Sequence, residues 1–171
     1  MGGDERLIAV LGHEVGHKLL GGCNTSVSEA FAEWLGAKAL AAAGQRAAAK
    51  AKIERHIADF RAADPAGTAL DIADEQTDIK QSPACQGKWI WILTELCGKY
   101  GDDLPARYLA ALKENVHLSN PARKRVAGKE ERLTMADHVQ ALSKAAGEDL
   151  TGWFRRLGIT VDSTAKAKQR R

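Results

Sequence analysis

The chain has 171 residues, enough for one ordinary domain with a sizeable core. Hydrophobic residues make up 44% and charged residues 27%, the balance of a soluble globular protein rather than of a disordered chain. A net charge of +3 is too mild to imply a nucleic-acid partner, and no apolar run reaches the roughly 18 residues that a membrane span needs. Alanine is abundant while valine, isoleucine and aromatic residues are sparse, which predicts a mainly α fold.

The first predicted helix runs from Arg6 to Leu20. Leu7, Ile8, Val10, Leu11, Val15, Leu19 and Leu20 give it enough apolar positions for a buried or half-buried helix. Asp4 and Glu5 suit its N-terminal turn, and Gly21-Gly22 suit a C-terminal stop. This helix carries His13-Glu14-Val15-Gly16-His17. Residues four apart lie on one helical face, so the imidazoles of His13 and His17 can point at one ion. Glu14 sits one residue round, beside the metal rather than on it, where its carboxylate can take a proton from a zinc-bound water. Zinc normally takes a third protein ligand and leaves the fourth position to water. The stretch Ser28 to Trp34 offers one. Asn24, Thr25, Ser26 and Ser28 are capable N-caps, so a second helix is expected from about Val27 to Ala43, ended by Gly44. On it Glu29 and Glu33 share a face. One can bind the metal while the other accepts the spare ring N–H of a ligand histidine.

At these residues the chain resembles the gluzincin metallopeptidases. Their signature is His-Glu-x-x-His on one helix and a Glu, often within Glu-(Gly/Ala)-x-Ala-(Glu/Asp), on the next. Here His13-Glu14-Val15-Gly16-His17 is followed, after eleven intervening residues, by Glu29-Ala30-Phe31-Ala32-Glu33. The resemblance implies His13, His17 and Glu29 as ligands of a Zn2+ ion, Glu14 as general base, and Glu33 as the carboxylate supporting a ligand histidine. It also implies a zincin-type helical catalytic domain. Asp137 to Ser143, Gly147 to Thr151 and Trp153 to Ile159, preceded by Gly101-Asp102-Asp103, are similar to the closing region of enhancin-like, mucin-degrading peptidases. The substrate implied is a protein or peptide, with a glycoprotein in view from that ending. The metzincin pattern does not fit, because Leu20 stands where Gly is required and Cys23 where a third His would fall. Cys23 can in principle coordinate zinc, but Glu29 sits in the better motif.

Further along, Gln45 to Ala63 is a predicted third helix with Ile53, Ile57 and Phe60 at helical spacing. His56 on this helix is expected on the solvent side or in a capping role. Asp64-Pro65 stops the helix. Thr68 to Ser82 is acidic and turn-rich, but its spacing and its missing Gly do not fit an EF-hand; a long surface loop at a cleft rim is expected. Gln86 to Tyr100 is predicted as a core helix on which one of Trp89 and Trp91 stays partly exposed. A fifth helix spans Asp102 to Asn115, with Leu104, Tyr108, Leu109 and Leu112 inward. Val116 to Arg132 is a basic loop. Thr134 caps a helix running to Ala146, and Asp149 or Thr151 opens a short one ending near Gly158.

The expected architecture is therefore six or seven helices in one domain, with the zinc site between the first two. Residues 1–44 form the zinc-binding helix pair, 45–160 a helical support, and 161–171 a basic tail. Cys23, Cys85 and Cys97 make an odd count: Cys85 and Cys97 can bridge if the loop before the aromatic helix folds back, or all three stay reduced. His117, His138, Tyr100 and Tyr108 are chemically able to serve the oxyanion of a peptidase. No signal peptide precedes the motif, since Asp4 and Glu5 interrupt any apolar segment, and the compartment stays open; a fragment of a longer protein could be extracellular. The functional expectation is a zinc-dependent metallopeptidase. The alternative is a helical binding module, or a truncated peptidase domain, that retains a structural zinc site.

Overall fold

The structure, a computed structural model, describes residues 2–20, 25–73, 83–114 and 133–161. Among them are seven helices and no strand: α1 (Gly3–Leu20), α2 (Thr25–Ala42), α3 (Arg46–Ala63), α4 (Pro83–Tyr100), α5 (Leu104–Glu114), α6 (Met135–Ala146) and α7 (Thr151–Arg156). The mainly α architecture expected from composition is present. No described helix is long and apolar enough to cross a membrane. The expected basic loop 116–132 with His117, the tail 162–171 and Cys23 lie outside the described residues.

α2 is the central element. Val27, Ala30, Phe31, Ala32, Trp34, Ala37 and Leu40 are all buried, which covers most of its circumference. A helix apolar on most sides must be covered on most sides: α1 packs on one flank, and α3 and α4 on the others. The larger core lies beyond it, where Phe31, Trp89, Ile92, Leu93, Tyr108, Leu142 and Phe154 meet in one cluster. The ends of α6 follow local chemistry. Thr134 and Asp137 form a reciprocal capping box at its start, and Gly147 closes it at φ 74°, a left-handed conformation that glycine adopts without steric cost.

α1 and α2 run antiparallel in very close contact, because small residues line both facing sides. A Cβ added to Gly16 would lie 2.5 Å from Ala32 Cα, and one on Gly36 would lie 2.7 Å from the Ala9 carbonyl oxygen. No larger side chain fits there without the helices separating. This arrangement revises one expectation. α1 buries only Ala9, Gly16 and Leu20, whereas Leu7, Val10, Leu11, Val15 and Leu19 are exposed, Leu7 at 58%. Apart from Leu20, small residues form the packed face, so the other large apolar residues are turned outward.

Two further expectations change. Cys85 and Cys97 are both buried, and no disulfide joins them. They lie on the same helix about 18 Å apart along its axis, far beyond disulfide reach. The first part of the acidic loop is only partly at the surface: Thr68 and Ala69 are exposed, but Ile72 is buried in the main core, and residues 74–82 lie outside the described residues. Its path is set by Asp64, whose carboxylate accepts from the backbone N–H groups of Gly67, Thr68, Ala69 and Leu70. Lys88, fully buried on α4, donates to the carbonyls of Leu70 and, at 2.6 Å, Leu157, with Asp64 at 3.8 Å. Burial lowers the Lys88 pKa against the attraction of Asp64, while the Asp64 carboxyl is held below its usual range by its backbone donors and Lys88, against desolvation.

Candidate metal centre

The close approach of α1 and α2 sets His13 and His17 opposite Glu29 and Glu33. The two imidazole Nε2 atoms lie 3.0 Å apart. The Glu29 carboxylate stands 3.5 Å from His17 Nε2 and 3.7 Å from His13 Nε2. Ligand atoms of His13, His17 and Glu29 all fall within 4.8 Å of one another. Tetrahedral zinc bonds of about 2.0–2.1 Å separate adjacent donors by roughly 3.3 Å. The observed spacings bracket that value, so the donor set fits a zinc ion in both chemistry and size.

The outward ring nitrogens are also provided for. His13 Nδ1 lies 3.3 Å from Glu33 Oε1, and His17 Nδ1 lies 3.0 Å from Ser28 Oγ. With their N–H groups directed to these oxygens, both rings keep a lone pair on Nε2, where a metal needs it. Of the two glutamates, Glu29 therefore faces the converging nitrogens and Glu33 supports a ring. Glu14 is exposed, and no hydrogen bond or ion pair holds it among the described residues.

Behind Glu33 stands α3. Lys52 pairs with Glu33 Oε2, and His56 Nε2 is 3.4 Å from the same oxygen. The His56 hydrogen bond and then Lys52, working against desolvation, hold the Glu33 carboxyl down to about 2. His56 is thus not on the solvent side as expected but 6% exposed. The sequence held a signal for this: Ala49, Ile53, His56 and Phe60 repeat at spacings of a single buried stripe. Ser28 is a capable helix cap by sequence, and nothing in its local spacing marks it as a partner of His17.

The remaining candidates lie elsewhere. Tyr108 and His138 are bonded to each other at 2.6 Å inside the main core, where burial pushes the His138 pKa down to about 4. The Tyr100 hydroxyl donates to Glu148. None of these three is placed with the histidine and glutamate cluster, so the proposed oxyanion role falls away for them. Comparison of the chain with protein-family models, with curated proteins and with solved structures finds no match.

Proposed function

We propose that this chain is a zinc-dependent peptidase whose metal would be held by His13, His17 and Glu29. One observation carries the reading: two imidazole Nε2 atoms and one carboxylate converge at ligand spacing, and both rings are backed by an acceptor at Nδ1. Zinc in such a site supplies Lewis acidity, bringing the pKa of water towards about 7 and polarising a carbonyl. The chain's own residues would do the rest. Glu33 and Ser28 fix the imidazole planes, and the Glu29 carboxylate offsets part of the cation's charge. Glu14, next to His13 and accessible, takes the proton of the attacking water and returns it to the leaving amine. The substrate class proposed is a protein or peptide, with glycoproteins the first to try because of the resemblance in sequence of the closing region to mucin-degrading peptidases.

A second reading, a helical module that holds metal without catalysis, is favoured by one observation: no described neighbour orients Glu14. Metal analysis and peptide cleavage separate the two. Protein purified without chelator is expected to carry close to one zinc per chain. His17→Ala should abolish this, Glu33→Ala should weaken it and Cys23→Ala should leave it unchanged. If Glu29→Ala keeps full zinc while Cys23→Ala loses it, the ligand set is wrong. Glu14→Gln should keep metal and melting temperature while losing hydrolysis; metal binding without hydrolysis in both proteins would select the non-catalytic module.

A further inference from the structure

We propose that Lys52 and His56 are positioning residues for the metal centre: from α3 they fix the Glu33 carboxylate, and through it the ring and tautomer of His13. The proposal deepens the zinc reading and rests on it for what the metal does. Its geometry belongs to the protein alone.

The two oxygens of Glu33 are divided between neighbours. Oε1 faces His13 Nδ1 at 3.3 Å, while Oε2 takes both Lys52 Nζ and His56 Nε2. A glutamate on its own samples several side-chain rotamers. Two donors from a separate helix, converging on one oxygen, remove that freedom and leave the other oxygen aimed at His13. His56 is built for this task. Its Nδ1 is buried with no hydrogen-bond partner among the described residues, so a proton placed there would be an unsatisfied donor. The ring proton therefore belongs on Nε2, where Glu33 accepts it. Lys52 is largely covered, its side chain 14% exposed, so the pair works partly out of water, where charge-assisted hydrogen bonds are stronger.

The chain of consequence runs in one direction. Held at Oε2, Glu33 accepts the Nδ1–H of His13 at Oε1. His13 then keeps its Nε2 lone pair facing His17 and Glu29. Without the α3 donors, the carboxylate can rotate away and His13 can carry its proton on Nε2, which blocks coordination. A third helix is thus part of the site although it offers no ligand.

The test uses the full chain with Lys52→Met, His56→Leu and both together, the conservative Lys52→Arg and His56→Gln, and the same changes in a Glu33→Ala background. Ring nitrogen chemical shifts of His13 are read in metal-free protein, and zinc(II) affinity is read by chelator competition. The double variant should move His13 from the Nδ1–H towards the Nε2–H tautomer and weaken zinc binding by roughly 10- to 100-fold. His56→Gln, which keeps a donor near the Nε2 position, should recover most of both. In the Glu33→Ala background the α3 changes should add nothing. An unmoved His13 tautomer, or an equal further loss without Glu33, overturns the positioning role. If the native chain binds no zinc yet the tautomer still shifts, the zinc reading fails and the positioning role stands. The single variants carry the same comparison where the double variant does not fold.

Discussion

The α1–α2 pair and the core around α4 are held together by opposite means. In the pair, Gly12, Gly16 and Gly36 face alanines and backbone, and the helices approach until almost no side chain separates them. Around α4, Trp89, Tyr108, Phe31 and Phe154 fill the space with bulk. The first arrangement buries little apolar area per contact but fixes the backbone separation, which is what a donor set spaced by 3.0 to 3.7 Å requires. The second buries much area and sets no chemistry. Precision and stability are thus supplied by different residues, and substitutions should separate them.

The largest stability loss is expected in the bulky half. Trp89→Ala empties a fully buried position and should cost about 3–5 kcal/mol, and Leu96→Ala about 2–5 kcal/mol, measured by denaturant melts. The protein that stays folded should still bind zinc. A stable variant in this half that loses the metal would mean the two regions are not separable.

Gly16→Ala comes next, with the opposite signature. Its Cβ meets backbone 2.5 Å away, so the helices must part, at a cost of about 1–3 kcal/mol. Zinc affinity should collapse although no ligand is touched. Gly98→Ala on α4, where a Cβ meets nothing within 4 Å, is the control and should gain up to about 1 kcal/mol from helix propensity. Equal zinc affinity in Gly16→Ala and the native chain would show that close approach does not set the site.

Acid should also strike the bulky half. His138 is buried, with its pKa lowered from 6.5 to about 4, so the unfolded chain takes up its proton first as pH falls. Its contribution to stability is therefore complete above pH 6.5 and is lost progressively down to about pH 4. His138→Gln should flatten the melting temperature across that window; an unchanged pH profile would remove His138 as the cause. The smallest effect belongs to Glu14→Gln, an exposed change expected to alter stability by less than about 0.5 kcal/mol.

Much of this contrast is legible in the sequence, for identifiable reasons. The metal-ligand candidates fall within two consecutive helices, where spacing alone sets which side chains share a face. The helix ends at Thr134 and Gly147 are written in local capping chemistry. What spacing does not convey is which face meets which partner. Leu7, Leu11 and Leu19 of α1 look like its core face, yet glycines and alanines take that role because α2 presents the same small residues. The spacing of His56 places it on the buried stripe of α3 with Ala49 and Phe60, but its partner is not legible there, because Glu33 arrives from α2. Lys88 sits beside Trp89 with no local hint of burial, because its acceptors come from residues 18 and 69 positions away.

That last separation has a kinetic consequence. The donor set on α1 and α2 closes over short loops, with His17 and Ser28 only 11 residues apart, and such contacts form early. The Lys88 ammonium must wait for Leu157, and Asp71 waits for Thr160 across 89 residues. Loop-closure entropy for those long connections is lost before any contact offsets it. By sequence separation alone, contacts within the helix pair are therefore expected to form before the one between Lys88 and the Leu157 carbonyl.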